Sequence, residues 1–238
     1  MNKLELLPAD EFPRLSESEC ADIQRGLAAL VVQENRLELD QIKTVGGVDI
    51  AYWNGQDGNE YGVCCIVVID AESGEVIEKR HAWGRSEFPY IPGCLAFREL
   101  PLVVKAAAML EKRPDVFMFD GNGILHTRGL GLAAHASFYL DCPTLGVAKH
   151  LFRVDGAEFG ELGIEAGCCS DIVKDGAVIG RAVRTKRNVK PVYVSVGNYI
   201  DINTATELVL KLADDESHIP VPTRYADLET HIKRRELC

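Results

Sequence analysis

Two aspartates occupy positions in the sequence where a carboxylate is costly to bury. Asp49 lies inside the apolar run 45–53, and Asp120 ends the apolar run 116–119 just before a glycine-rich turn. A buried carboxylate requires a hydrogen-bond partner, a cation or a metal ion. If the two runs form neighbouring strands, the carboxylates face one another and offer the oxygen ligands that Mg²⁺ or Mn²⁺ prefers. For either residue alone, a structural aspartate bound to a turn or an arginine is the alternative.

A proline-rich segment at 88–99, with the sequence FPYIPGCLAFRE, presents an aromatic side chain. Tyr90 lies between two prolines, which fix the backbone on both sides of it. A rigidly held aromatic ring can stack on a nucleobase or replace one. Glu99, at the end of the segment, could join the two aspartates around a metal ion. An ordinary surface loop is the alternative interpretation.

Cationic and hydrogen-bonding side chains follow Asp120. His126 and Arg128 lie in the loop after this aspartate, and Lys149 ends the apolar run 144–148. These residues supply hydrogen-bond donors and positive charge, and a lysine at a strand end is well placed to contact a phosphate. For His126 alone, a half-buried structural histidine is the alternative.

The charge balance restricts the partners. The 238 residues include 26 lysines and arginines against 36 aspartates and glutamates, a net charge of −10, which argues against a general nucleic-acid coat. Residues 174–190, however, carry six cationic residues against one aspartate, so this segment has a charge of +5 and the remainder −15. This asymmetry predicts a strip that follows phosphates on an otherwise acidic body, although a solvated charged face is the commoner explanation.

The apolar pattern predicts the compartment. The first residues lack the apolar core of a signal peptide, and no apolar run approaches the ~20 residues of a membrane span, so we expect a cytoplasmic protein with no membrane contact. Eight cysteines include two adjacent pairs but no C-x-x-C spacing. We therefore expect buried thiols rather than a zinc site or a disulfide framework.

The elements that must position these residues follow from hydrophobic periodicity. Residues 16–40 open with a capping-box spacing and predict an N-terminal helix whose apolar face contains Ile23, Leu27, Leu30 and Val31. Short turns separate three apolar runs, which predicts an antiparallel meander. The three runs are 43–53, 61–70 and 75–84.

Downstream, strand and helix patterns alternate. The helices expected here are one with Pro101 in its first turn, one near 130–141, one with a capping box at Thr204, and a short terminal helix from Pro222. The strands expected here are 115–120, 144–149, 177–185 and 191–198. A meander followed by alternation predicts one α/β domain over residues 1–238, with a mixed sheet and helices on both faces.

Four ordered motifs resemble those of the endonuclease V family, the deoxyinosine 3′ endonucleases. The motifs are Val48-Asp49, the run from Pro89 to Gly93 followed by Phe97-Arg98-Glu99, the stretch from Asp120 through His126 with Gly131 and His135, and Gly146-Val147-Ala148-Lys149. The similarity extends from about residue 15 to residue 230. Two positions depart from the family pattern: Asn122, where glutamine or histidine is frequent, and Thr127, where proline is frequent.

The resemblance implies an RNase H-like fold with a mixed five-stranded sheet. It also implies a Mg²⁺-dependent nuclease, in which Mn²⁺ would substitute, that recognises inosine and hydrolyses the second phosphodiester bond on its 3′ side. The products would be a 3′-hydroxyl and a 5′-phosphate. The implied partner is inosine-containing DNA, with inosine-containing RNA left open, and the implied state is a monomer.

The resemblance also assigns roles by position. Asp49 and Asp120 would be the principal metal ligands and Glu99 the third acid. Asp227 would be the fourth acidic position, although other members have histidine there, and Lys149 would lie near the scissile phosphate.

The remaining assignments concern the damaged base. Tyr90 would fill the space left when the base is rotated out of the helix. Four residues would line the pocket that receives the base: Pro92, Gly93, Leu95 and Gly131. His126 would lie beside the strand on the 3′ side of the lesion.

Two other functions remain open from the residues. A Mg²⁺-dependent phosphohydrolase acting on a small molecule would use the Asp120 turn and Lys149 equally well, but it gives no role to the Tyr90 loop. A nucleic-acid-binding module without catalysis would keep the acids as structural groups only.

Overall fold

Nine strands form one mixed sheet in the computed structural model, which describes residues 6–238. The strands are β1 (Thr44–Asn54), β2 (Glu60–Asp70), β3 (Val76–Arg85), β4 (Val116–Phe119), β5 (Thr144–Ala148), β6 (Ala157–Glu158), β7 (Cys169–Lys174), β8 (Ala177–Val183) and β9 (Val192–Asn198). Their order across the sheet is β3-β2-β1-β4-β5-β9-β8-β7-β6.

The first five strands in this order match the prediction. β1, β2 and β3 pair antiparallel as the expected meander, and β4 is parallel to both β1 and β5. The predicted count of five is too low, because β9 pairs antiparallel with the other edge of β5 and β8, β7 and β6 continue from it. Pairing removes the exposed edge that β5 would otherwise present.

Five α-helices cover the sheet: α1 (Glu17–Ala28), α2 (Leu95–Ala107), α3 (Leu132–Leu140), α4 (Ile202–Lys211) and α5 (Val221–Leu237). The side chains of β4 alternate between two apolar clusters. Val116 and Met118 pack with residues of α4 and α5, whereas Phe117 and Phe119 pack with residues of α2 and α3. The prediction of helices on both faces is confirmed.

The N-terminal helix is shorter than predicted. The capping box of Ser16 and Glu19 is present, but α1 ends at Ala28 rather than near residue 40. The chain after it forms tertiary hydrogen bonds, since Val32 and Arg36 bond to the segment that follows β9. Leu27 is buried as predicted, but the other buried residues are Cys20 and Gln24, and Leu30 is exposed.

The other helix boundaries shift as well. α2 begins at Leu95 and carries Pro101 in its interior, so the helix starts directly after the Tyr90 loop. The N-cap of α4 is Asp201, whose side chain accepts from the backbone N–H of Thr204 at 2.7 Å, in place of the predicted capping box at Thr204. The terminal helix is not short, because α5 has 17 residues.

Two sequence expectations concern thiols and membranes. Five cysteines are buried as predicted, whereas Cys168 is partly exposed and Cys169 and Cys238 are exposed. Within residues 6–238, none of the helices combines the length and the apolar character needed to cross a bilayer.

Candidate active site

Three carboxylates converge where β1, β4 and α5 meet. The parallel register of β1 and β4 pairs Val48 with Phe119, and the backbone N–H of Asp120 donates to the carbonyl of Val48 at 3.0 Å. Asp49 and Asp120 are thereby brought together from neighbouring strands. Asp227, on α5, completes the group, in which one carboxylate oxygen from each residue lies within 4.8 Å of the others. We call these residues the acid cluster.

Lys149 and Thr230 fix the positions of the carboxylates. Lys149 Nζ lies 2.7 Å from Asp120 Oδ2 and 3.0 Å from Asp227 Oδ1. The hydroxyl of Thr230 donates to Asp49 Oδ2 at 3.0 Å. Thr230 follows Asp227 by three residues on α5, so both side chains reach the sheet from the same face of the helix.

The electrostatics of the cluster favour a divalent cation. Burial, and then the negative charge of Asp120, raises the pKa of Asp49 to about 7. Burial alone would lower the pKa of Lys149, but its hydrogen bonds and ion pairs with Asp120 and Asp227 outweigh that effect and raise it. Three carboxylates around one ammonium group leave an excess of negative charge. These donors fit a hard cation such as Mg²⁺.

Glu99 does not belong to the group of three carboxylates. It is buried on α2, and its Oε1 accepts from the hydroxyl of Tyr52 at 3.3 Å. Burial, and then the nearby charge of Asp49, raises its pKa to about 8. Its assignment as a metal ligand stays a prediction.

The residues assigned to base binding line one cavity of about 260 Å³. The six assigned residues are Tyr90, Pro92, Gly93, Leu95, His126 and Gly131. Gly121 and Asn122, which directly follow Asp120, lie in the same wall. A larger cavity of about 460 Å³ between residues 9–13 and α2 contains none of the acid cluster. Unlike the larger cavity, the smaller one adjoins the acid cluster, because Gly121 and Asn122 directly follow Asp120 in the chain.

Two residues that the sequence analysis did not assign hold Gly93 in place. Gln24 Nε2 donates to the carbonyl of Gly93 at 2.9 Å, and Arg128 Nη2 donates to the same oxygen at 2.6 Å. Arg128 Nε in turn donates to Gln24 Oε1 at 2.6 Å. Gly93 has φ +79°, and a Cβ there would lie 2.7 Å from Arg128 Nη2. Only glycine fits this position.

Gln24 could have been found from the sequence. It follows Cys20 by four residues and precedes Leu27 by three, so a polar residue occupies the apolar face of α1. A buried amide needs partners. The partner, however, lies 69 residues away in the chain.

Gly131 closes the cavity against α3. Its N–H donates to the carbonyl of Gly123 at 2.7 Å, and a Cβ there would lie 2.5 Å from the carbonyl of Asn122. The Oδ1 atom of Asn122 is buried in this wall and has no hydrogen-bond partner among residues 6–238. An unpaired buried acceptor is costly unless a ligand donates to it.

His126 differs from the sequence expectation. It is buried and stacked on Phe152, with ring centroids 5.3 Å apart. Burial, and then the charge of Arg128, lowers the pKa of His126 to about 4. The ring is therefore neutral at neutral pH, so positive charge near the acid cluster comes from Lys149.

Two of the six cationic residues in the strip at 174–190 form ion pairs within the described residues, and a third bonds to a backbone carbonyl. Arg181 binds Asp171 at 2.5 Å, Arg187 binds Glu165 at 3.1 Å, and Lys186 donates to the backbone carbonyl of Asp215. These contacts reduce the charge available to a phosphate. The role of the strip in following phosphates stays a prediction.

Comparison with known proteins places this geometry in a family. The family model of endonuclease V matches residues 25–228. Endonuclease V of Bacillus subtilis is 47% identical over 231 residues, which cover 97% of each chain. The crystal structure of the B. subtilis protein superposes with a TM-score of 0.91 at 46% identity and covers 98% of each chain.

A second solved structure includes a nucleic acid. Ciona intestinalis endonuclease V, in complex with a 24mer DNA containing an inosine followed by a ribo-adenosine, superposes with a TM-score of 0.83 at 26% identity, covering 93% of this chain and 98% of that one. These likenesses confirm the predicted RNase H-like fold. Together with the family model, they show that the chain belongs to the endonuclease V family of nucleases.

Proposed function

We propose that this protein is a Mg²⁺-dependent endonuclease that recognises inosine in DNA and hydrolyses the second phosphodiester bond on its 3′ side, leaving a 3′-hydroxyl and a 5′-phosphate. One observation carries the proposal: Asp120 belongs to the acid cluster, and the next two residues, Gly121 and Asn122, line the 260 Å³ cavity. A base held in the cavity would keep its own strand beside the carboxylates.

The cavity suits hypoxanthine, the base of inosine. Hypoxanthine carries an N–H donor at the ring position where adenine has an acceptor. Asn122 lines the cavity, and its shielded Oδ1 lacks a donor within residues 6–238, so a small rotation of the side chain would let it accept from that N–H. Adenine would leave the acceptor unpaired, and a site built to hydrogen-bond its ligand rejects an analogue that lacks the donor.

Base extrusion gives the Tyr90 loop its role. An enzyme that reads a base outside the stack pays the unstacking and unpairing energy, which is smallest for a mismatched or damaged base. Tyr90 is 72% exposed at the mouth of the cavity, with a proline on one side and Ile91-Pro92 on the other. It is placed to fill the gap that the extruded base leaves.

The acid cluster would supply the groups for metal-assisted hydrolysis of the phosphodiester bond. Asp49, Asp120 and Asp227 would hold the metal ion, which when bound neutralises the negative charge that develops on the phosphate oxygens and activates water. Lys149 holds Asp120 and Asp227 in place and carries a positive charge toward the phosphate. Thr230 orients Asp49.

The Ciona relative, whose structure contains an inosine in DNA, supports the substrate. The assay follows directly: labelled duplexes with one inosine, adenosine or uracil are incubated with Mg²⁺, and the cut is mapped. Cutting of the inosine strand alone, at the second bond on the 3′ side, is the expected result. Equal cutting of the adenosine duplex would overturn the proposal. Inosine-containing RNA as a partner, cytoplasmic location and the monomeric state stay predictions.

Replacing Tyr90 with alanine should weaken binding of inosine DNA by about tenfold, because one aromatic stacking contact contributes about 1–3 kcal/mol. The fold should survive, since the side chain is mostly exposed. Fluorescence anisotropy against inosine and adenosine duplexes measures the loss, and thermal unfolding checks the fold. Unchanged affinity for inosine DNA would contradict the proposed role.

Replacing Asn122 with leucine should reduce the preference for inosine over adenosine DNA by about ten- to a hundredfold, because the acceptor disappears while the shape is nearly kept. The ratio of the two dissociation constants measures this preference in the absence of divalent cations. Asn122→Gln, which keeps an amide carbonyl, is the matched control. An unchanged ratio in the leucine variant would show that Asn122 does not read the base.

A further inference from the structure

Three aromatic side chains, of which one is exposed and two are partly exposed, form a row that the proposed chemistry does not use. Trp53 on β1 and Tyr61 on β2 are stacked, with ring centroids 5.7 Å apart and planes at 21°. Trp83 on β3 lies 6.4 Å from Tyr61 and is 52% exposed. We call these three residues the aromatic platform. Exposed aromatic side chains in contact across three strands mark a binding surface.

The platform is held in place before any ligand arrives. The hydroxyl of Tyr61 donates to Asp57 Oδ2 at 2.8 Å, and Asp57 also accepts from the side chain and backbone of Asn59. Leu237, near the end of α5, packs against the cluster that includes Trp53. A shallow hollow of about 300 Å³ lies in front of the three rings. Fixed rings bind a flat ligand at low entropic cost.

The platform shares a sheet face with the acid cluster. Trp53 and Asp49 are four residues apart on β1, so their side chains project from the same face about 13 Å apart. Helix α5 spans the same interval on that face, from Asp227 in the cluster to Leu237 at the platform. Because α5 covers the strands between the two sites, a ligand that occupies both would have to pass beside this helix.

The Tyr90 loop begins a few residues after the platform strand β3. β3 ends at Arg85, and Tyr90 follows five residues later, so the two positions are at most about 18 Å apart. Arg85 is exposed beside Tyr61, and Arg234 and Arg235 lie in the last turn of α5. Asp57 is the acid in contact with the platform, and it binds Tyr61. Cations around stacked aromatic rings match a polyanion with planar groups.

We infer that the aromatic platform binds unpaired nucleobases of the strand that flanks the inosine. The inference rests on the proposed function. Stacking on aromatic faces is tolerant of base identity, so the platform adds affinity without adding sequence preference. At about 3.4 Å per stacked nucleotide, 13 Å corresponds to about four nucleotides from the acid cluster.

The tryptophans supply a direct readout. The chain contains two tryptophans, and both lie in the platform. The full-length protein is titrated, without divalent cations, with single-stranded oligonucleotides that carry one inosine and a flank of one to ten nucleotides on either side. With the flank on one of the two sides of the inosine, tryptophan fluorescence should be quenched and the affinity should rise about tenfold once the flank reaches about four nucleotides.

An abasic flank of equal length separates stacking from charge. It keeps the phosphates and lacks the bases, so it should give neither the quenching nor the gain in affinity. Equal gains from normal and abasic flanks would overturn the inference, because the flank would then bind through its phosphates alone. Absence of quenching at saturation with normal flanks on either side of the inosine would overturn it as well.

Trp83→Ala tests the platform by mutation. This variant should lose the gain from the longer flank, whereas Ile77→Ala, an exposed apolar residue near the other end of β3, should keep it. If the gain in affinity persists in Trp83→Ala, the aromatic platform serves folding instead. If the wild-type protein self-associates and Trp83→Ala removes that association, the platform binds a second copy of the chain instead. If the protein cuts at inosine but a longer flank does not raise its affinity, this inference alone is wrong. If the protein does not cut at inosine, the proposed function is wrong.

Discussion

Asp120→Asn is expected to lower the rate of inosine-directed cleavage by about a thousandfold or more, equivalent to about 4 kcal/mol of transition-state stabilisation. Asparagine keeps the shape of the side chain but removes one negative charge from the acid cluster. The backbone bond from residue 120 to the carbonyl of Val48 does not depend on the side chain. The fold should therefore persist while the site loses its capacity for a cation.

Single-turnover cleavage of an inosine duplex measures this effect, with the enzyme in excess so that binding does not limit the rate. Asp155→Asn, an exposed aspartate in the loop after β5, is the matched control and should cleave at the wild-type rate. Retention of more than a tenth of the wild-type rate by Asp120→Asn would contradict the assignment of this carboxylate.

Removal of divalent cations should abolish cleavage, and Mg²⁺ or Mn²⁺ should restore it. The reason is that three carboxylates lie around one lysine and leave an excess of negative charge, which a divalent cation would balance. Binding should also be visible without any substrate, because a ligand that binds only the folded state stabilises it by about 2.7 kcal/mol at a hundred times its dissociation constant.

Thermal unfolding with and without Mg²⁺ provides that second readout. The wild-type protein should unfold at a higher temperature in Mg²⁺, and Asp120→Asn should show a smaller increase. Cleavage that continues in EDTA would overturn the metal assignment. An equal increase in both proteins would place the bound ion elsewhere.

Local sequence pattern is enough to single out the two members of the acid cluster that come from strands. Asp49 and Asp120 interrupt or end buried apolar runs, and the cost of burying a carboxylate makes such positions visible in sequence. The parallel register of β1 and β4 then brings them together. Lys149 was found in the same way, as a cation at the end of a buried strand.

Residues that depend on distant packing were harder to predict. Asp227 reaches the acid cluster because α5 crosses β1, where the carbonyl of Pro222 occupies the space beside Gly47. No local pattern encodes that contact, and the resemblance supplied this position. Gln24 was missed for the same reason, because its partner Gly93 lies on a loop far along the chain. Long-range contacts of this kind follow from the fold rather than from periodicity.

Long-range contacts also determine where the first helix ends and how many strands the sheet contains. The apolar spacing after Ala28 suggested a longer helix, but Val32 and Arg36 bond to residues near the end of β9 instead. Likewise, β7 and β8 form a hairpin that extends the sheet beyond the five strands that the resemblance implies, although the sequence pattern at 177–185 does predict β8 itself. In both cases tertiary hydrogen bonds decided the conformation.

The contact between the cavity and α1 makes the cavity sensitive to partial unfolding of the protein. Gln24 lies on a surface helix with few buried residues, and such elements open before the central sheet does. Opening of α1 would remove one of the two donors to the carbonyl of Gly93 and leave Arg128 Nη2, while β1, β4 and α5 still hold the three carboxylates. Heat or mild denaturant should therefore loosen the wall of this cavity at a lower temperature than the one at which the acid cluster comes apart.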